Sequence, residues 1–455
     1  MHVHTFYNPT LAHASYAVCS GREIALVDPG RDPEPYLAYA RQHFGRIVAV
    51  LETHPHADFA SSHLEFHEKH GAVIYVNPRA RVTYPHRAVD EGDWIRVGNV
   101  GLQTRYTPGH SLDHNAYLLR DELGEPHAIF TGDSLLMGDV GRPDLHEGDL
   151  PISISRRVLA ELMYKTLQRV YEPLQEDILI YPTHGSGSLC GRQIRSERYS
   201  TLGWEKRNNW AFRTSGRKEF IQNLLENPPF RPPYFSFDII QNRAGFPAYA
   251  ESLQQVRWMG PHTRRDARVT VIDTRRSEAF RAGHVAGAIN LRCAPDDKFE
   301  TWLGTLVRPY EPFYLVVEDT AAAGSVLRRI ASIGYEKQLL GVQCNPDDGL
   351  EREQVLNLTN FRMHPDEYTI LDVRLPAEAK AKRYFAHAHA IPLPELKRRM
   401  SEVPTELPIV VHCAGGYQSA AGASMLSERF RGLVPVYDLG EAVHEFAPLA
   451  QSSVV

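Results

Sequence analysis

The run Thr53-His54-Pro55-His56-Ala57-Asp58-Phe59 limits most what this chain can become. It follows the apolar stretch Ile47–Leu51, which reads as a buried strand, so His54, His56 and Asp58 gather on one strand-end loop. Imidazole and carboxylate are ligands for Zn or Fe(II), and such a site needs donors converging from several segments. The chain repeats the placement three times. Thr107-Pro108-Gly109-His110-Ser111 follows a strand pattern at Gly101–Tyr106. Phe130-Thr131-Gly132-Asp133 and Tyr181-Pro182-Thr183-His184-Gly185 end two more. A lone His after a strand is ordinarily a surface or core residue. Four such placements, each beside Gly or Pro, point to a metal centre at one sheet edge.

Apolar runs at Ser15–Val18, Glu23–Val27, Val73–Val76, Ala116–Leu119, Ala128–Phe130 and Ile178–Tyr181 read as strands. A helical pattern spans Ile154 to Tyr171. Strands alternating with helices predict an α/β fold. The Pro-rich run Pro228–Tyr234 predicts an extended connector, and a short amphipathic stretch near Ala248–Met259 leads out of it. Two further segments share one order of strand, helix, strand, helix. They open on Val271-Ile272-Asp273-Thr274-Arg275 and Ile370-Leu371-Asp372-Val373-Arg374. That offset of ~100 residues marks a duplicated domain, since solenoid periods are ~20–50 residues. The expected domains are 1–255, 256–345 and 350–455.

Composition excludes several classes. Lys+Arg number 50 against 55 Asp+Glu, a net charge of −5, which argues against a nucleic-acid binder. No run of ~18 apolar residues offers a membrane span. The opening Met1-His2-Val3-His4-Thr5 lacks a cationic start followed by an apolar stretch, so a cytoplasmic location is expected. Five scattered cysteines make no disulfide framework. The 22 histidines are a further reason to look for metal.

The order His-x-His-x-Asp, Gly-His, Gly-Asp and a late His resembles the metallo-β-lactamase superfamily, whose fold is an αββα sandwich. Within it, Thr131–Leu136 followed by Gly138-Asp139-Val140-Gly141-Arg142-Pro143-Asp144-Leu145 resembles the persulfide dioxygenases. The run Tyr181–Gly191 is similar to the subgroup fused to rhodanese domains. The superfamily's binuclear hydrolases have His where this chain has Phe59, and Phe cannot coordinate. The resemblance therefore implies one Fe(II) per chain, held by His54, His110 and Asp133. His56, Asp58 and His184 would stand behind these ligands and orient them. Arg142 is the candidate for holding an anionic part of the substrate, or else pairs with Asp144 or Asp139. Cys190 is either a small buried residue or a thiol near the metal that accepts sulfane sulfur.

The last segment carries Val411-His412-Cys413-Ala414-Gly415-Gly416-Tyr417-Gln418-Ser419 between a strand and a helix. A Cys there faces backbone N–H groups and a helix N-terminus, which favour a thiolate. The loop Cys413, Ala414, Gly415, Gly416, Tyr417, Gln418 resembles that of rhodaneses, which implies sulfur transfer through a Cys413 persulfide. Gln418 stands where those loops commonly carry a basic residue, weakening attraction for thiosulfate. The family's Gly-His turn is replaced near Arg383-Tyr384. The middle segment has no Cys in its equivalent loop, Val317–Ser325, and resembles an inactive rhodanese. Cys293 and Cys344 read as packing residues.

Together these resemblances imply oxidation of a low-molecular-weight thiol persulfide by O2 to sulfite and thiol, coupled to persulfide, sulfite and thiosulfate exchange at Cys413, in sulfide detoxification. Dioxygenases of this superfamily often pair, so a homo-oligomer is expected, with no nucleic-acid or membrane partner. The alternatives are a zinc thioester hydrolase resembling glyoxalase II and a non-catalytic sulfur carrier.

Overall fold

The computed structural model describes residues 1–147, 154–347 and 350–446. The chain divides into two compact units. Met1–Gln254 with Ile330–Tyr335 forms the first, and the remainder the second.

The first unit is built on two six-stranded sheets. One contains His2–Asn8 (β1), His13–Ser20 (β2), Glu23–Val27 (β3), Arg46–Leu51 (β4), Val73–Val76 (β5) and Arg87–Ala88 (β6), paired in chain order. The other contains Trp94–Val97 (β7), Val100–Tyr106 (β8), Asn115–Arg120 (β9), Pro126–Gly132 (β10), Leu179–Pro182 (β11) and Ser200–Thr201 (β12), again in order. Alternate strand residues face opposite sides, so each sheet needs two apolar faces. Tyr16, Val18, Val27 and Leu51 meet Val97, Leu102, Leu119 and Phe130 between the sheets. The outer face of the first sheet, with Ala17, Leu26 and Val50, is covered by Tyr36 and Tyr39 of the helix Glu34–Gln42 and Phe66 of the helix His63–His70. The outer face of the second, with Leu118, Ile129 and Ile180, packs on Ala160 and Met163 of the helix Arg156–Thr166 and on Phe220 of the helix Arg217–Leu225. The layering is therefore helix, sheet, sheet, helix.

The helical pattern expected from Ile154 to Tyr171 is helical from Arg156, where the Ser155 side chain accepts from the Val158 N–H. After Thr166 it widens into a π-turn, Leu167–Tyr171. The Pro-rich connector carries no helix or strand over residues 228–233. The helix Tyr234–Ala244 starts at its end, with Pro233 as the cap residue, because proline is tolerated where a helix begins.

In the second unit each expected repeat has its own all-parallel sheet. The first runs Trp258–Met259, Leu339–Cys344, Phe313–Val317, Thr270–Asp273, Ala288–Asn290. The second runs Val436–Asp438, Ile409–His412, Thr369–Asp372, His389–Ala390. Apart from one extra edge strand, the order is the same. The opening strands also share a device. Arg275 grips Asp273 through Nε and Nη2 at 3.0 and 2.6 Å, and Arg374 grips Asp372 at 2.9 and 2.5 Å. The two sheets are joined inside one compact unit, where the Asn290 N–H donates to Ser424 Oγ of the helix Tyr417–Arg429. No described helix is long and apolar enough to cross a membrane.

Candidate metal centre

The donors collect where β4, β8, β10 and β11 end. His54 and His110 bring Nε2 to 3.9 and 3.6 Å from Asp133 Oδ2. These separations are too long for hydrogen bonds. They leave three buried lone-pair donors around one gap, with their ligating atoms within 4.8 Å of one another. Each ring is presented by its surroundings. His54 Nδ1 contacts Thr53 Oγ1 at 3.0 Å, which turns Nε2 toward Asp133. Gly132 turns the chain at φ +52°, and a side chain there would collide with His114 and Thr53. The Asp133 N–H donates to His114 Nε2 at 3.0 Å, while His114 Nδ1 meets Thr107 Oγ1 at 2.7 Å.

Electrostatics favour the ligating protonation states. Burial, then the neighbouring imidazoles His56, His110 and His114, push His54 well below its ordinary value. Burial also lowers His110, against the pull of Asp133. Both rings are therefore neutral, as a metal ligand must be. Burial opposes the charge of Asp133, but His184 and His110 hold its carboxyl well below the usual range. His184 Nδ1 sits 2.7 Å from Asp133 Oδ1, and its Nε2 3.0 Å from Asp58 Oδ2. Asp58, His184 and Cys190 form a second group of converging donors. Burial, then Asp58, raise the Cys190 thiol.

His56 faces the other way. Its Nε2 lies 3.1 Å from Asp28 Oδ1 and 3.4 Å from Glu52 Oε2. Burial alone would lower His56, yet these two carboxylates raise it to about 10. Asp28, Glu52 and His56 are a third group of converging donors. Phe59 stacks on His56 and on His13, with ring centroids 4.3 and 3.7 Å apart, beside the donors.

For Arg142 the structure shows the second of its two expected partnerships, the pair with Asp144. Its Nε and Nη2 grip Asp144 at 2.7 and 2.6 Å, and Nη1 donates to the Leu189 and Phe230 carbonyls. Its backbone N–H donates to the Cys190 carbonyl. The guanidinium is committed to the protein, so it fixes the loop carrying Cys190.

Four buried groups at this edge carry no motif in the sequence: His13, Asp28, Glu52 and His114. Asp28 ties the edge together. It accepts from the Thr53 N–H at 2.7 Å, from Thr53 Oγ1 at 2.8 Å and from Thr183 Oγ1 at 2.5 Å. Asp28 and Glu52 end apolar strands as Asp133 does, which is the signal that could have found them.

In the second unit, the Gly416 N–H donates to Cys413 Sγ at 3.1 Å, and Ser419 Oγ lies 3.5 Å from it. Gly416 holds φ +89° at the start of the helix Tyr417–Arg429, against the backbone of Gly440 and Glu441. Ala414, Gly415, Tyr417 and Gln418 complete that loop. In the other repeat Glu318 follows the equivalent strand, and Asp319 accepts from the Ala322 N–H at 2.7 Å.

Residues 8–184 match the family model of the metallo-beta-lactamase superfamily. A metallo-beta-lactamase structure from Staphylococcus aureus subsp. aureus COL aligns with 30% identity and a TM-score of 0.67, covering 76% of this chain and 99% of that one. The chain belongs to the metallo-β-lactamase superfamily. Two curated relatives are persulfide dioxygenase ETHE1, mitochondrial, of Homo sapiens (28% identical over 39% of this chain and 65% of that protein) and the cytoplasmic hydroxyacylglutathione hydrolase of Arabidopsis thaliana (30% identical over 36% of this chain and 58% of that protein). The chain thus spans less than two thirds of either.

Proposed function

We propose that this chain is an Fe(II)-dependent persulfide dioxygenase whose second unit transfers sulfane sulfur through Cys413. The observation that carries the reading is the donor set itself. His54, His110 and Asp133 converge on one gap, His56 is paired with carboxylates, and Phe59 fills the position at which the resemblance implies an imidazole in binuclear hydrolases. Two imidazoles and one carboxylate suit Fe(II) and leave open positions for small ligands; bound there, the ion supplies an oxygen-activating centre.

The surrounding residues have definite roles. His184 holds a proton between Asp133 and Asp58 and keeps Asp133 anionic. Phe59 and His13 exclude water from one side. Arg142 fixes the loop that brings Cys190 to Asp58 and His184. At Cys413, the Gly416 N–H stabilises a thiolate that accepts sulfur from a persulfide and passes it to sulfite, giving thiosulfate. Joining both activities in one chain raises the effective concentration of each product at the next site.

A zinc thioester hydrolase is the second reading, favoured by the similarity to hydroxyacylglutathione hydrolase. Metal analysis separates the two. The dioxygenase reading expects about one iron per chain, lost on substitution of His54, His110 or Asp133. Two zinc ions per chain, retained in Asp133→Asn, would overturn it.

A further inference from the structure

The Cys413 loop contains no basic residue, yet a cavity of about 250 Å³ opens beside Gly415 and Gly416, and the repeat that has no thiol lends Ser277, Glu278, Arg281 and Arg292 to its wall. From the Cys413 repeat come Glu441 and Asp438. Arg281 stands 3.5 Å from Glu278, and Arg292 grips Asp297 through two bonds of 2.9 Å. Arg292 also lies over the ring of Tyr417, the loop residue next to Gly416. The thiol-less repeat therefore supplies both guanidiniums of a cavity beside the Cys413 loop.

The charges have a consequence. Two guanidiniums face three carboxylates, Glu278, Asp438 and Glu441, and Asp297 engages Arg292 from outside the lining. The cavity thus offers both signs at close range and no net positive field. A compact dianion such as thiosulfate meets carboxylates on entering. An α-amino acid group meets a guanidinium for its carboxylate and a carboxylate for its ammonium, both charge-assisted. We propose that this cavity binds the zwitterionic amino-acid end of a thiol persulfide and presents its sulfane sulfur to Cys413, so that the repeat without a thiol sets donor specificity. The proposal rests on the sulfur-transfer reading of Cys413. The step balances without a co-reactant. The Cys413 thiolate attacks the terminal sulfur of R–S–SH, the new S–S bond forms as the donor's S–S bond breaks, and the departing thiolate takes the persulfide proton to leave as R–SH. Cys413 remains as a persulfide anion.

The full chain is incubated anaerobically, so that no oxygen consumes the donor. The Cys413 peptide is then followed by mass spectrometry for the gain of one sulfur. The probes are cysteine persulfide, the neutral persulfide of 2-mercaptoethanol, and thiosulfate. Cysteine persulfide is expected to label Cys413 about tenfold faster than the neutral donor, the scale of one additional charge-assisted contact, with thiosulfate slowest. Arg292→Gln and Glu441→Gln should each bring the ratio of cysteine-persulfide to neutral-donor labelling rates close to one, and Arg292→Lys should keep part of the preference. Equal rates for the first two probes, a preference surviving in both variants, or thiosulfate reacting fastest would overturn the proposal. If none of the three labels Cys413, the sulfur-transfer reading itself fails, and the proposal with it.

Discussion

Asp28 is the residue whose loss should be felt furthest from its own position. Its carboxylate accepts from the Thr53 N–H, Thr53 Oγ1 and Thr183 Oγ1, and faces His56. Asp28→Ala strands three buried donors at about 1 kcal/mol each or more. It also puts alanine at φ +49°, a left-handed conformation costing about 1 kcal/mol. The cationic His56 keeps Glu52 but loses its nearer carboxylate, adding roughly another 1–2 kcal/mol. The expected destabilisation is about 5 kcal/mol, a large part of a typical domain's stability. Asp28→Asn tolerates the same backbone and keeps an acceptor, so about half that loss is expected. The assay is urea denaturation, with hydrogen exchange of the β4 and β11 amides assigning the transition to the first unit. Metal content of the folded fraction should fall in parallel, because Thr53 and Thr183 precede His54 and His184. A change below 1 kcal/mol in Asp28→Ala, with metal content intact, would refute the claim that Asp28 holds this edge together.

Other outcomes follow from single contacts. Phe59→His adds an imidazole beside Asp58 and His184 and should raise metal binding above one ion per chain, read by elemental analysis. Arg142→Lys loses the planar fork on Asp144 and the two carbonyl contacts, so a stability loss of about 2 kcal/mol or more is expected with little change in substrate affinity; a KM effect without a stability effect would restore the substrate-clamp role. Burial, then Asp438, raise Glu353 to about 7 from 4.5. The folded chain therefore keeps a proton that the unfolded chain releases, and stability falls as pH rises between those values. Glu353→Gln should be more stable than the parent at pH 8 and equal to it near pH 4, measured by thermal unfolding.

The sequence made His54, His110 and Asp133 legible for a physical reason: each follows an apolar strand whose direction fixes where the next residue points. The same logic applied to Asp28 and Glu52, but Asp28 reads as part of an Asp-Pro-Gly turn and Glu52 precedes a louder motif. His13 and His114 have no local pattern, because their contacts are with residues brought close only by the sandwich. The role of Arg142 turned on its partners. A guanidinium suits a substrate carboxylate and Asp144 equally well, and only the fold shows that Asp144, Leu189 and Phe230 reach it first. In the second unit the matching Asp–Arg openings were visible in the chain. The cavity that the two repeats share beside Gly415 and Gly416 depends on how the two sheets join, and no periodicity encodes that.

The most direct test is oxygen consumption by the iron-loaded chain supplied with a thiol persulfide, with sulfite measured alongside and Cys413→Ser used to stop its onward conversion. One O2 consumed for each sulfite formed, abolished in His54→Ala, is the result this account predicts. Thioester hydrolysis by the zinc-loaded chain without oxygen, with no oxygen uptake on any thiol persulfide, would contradict it.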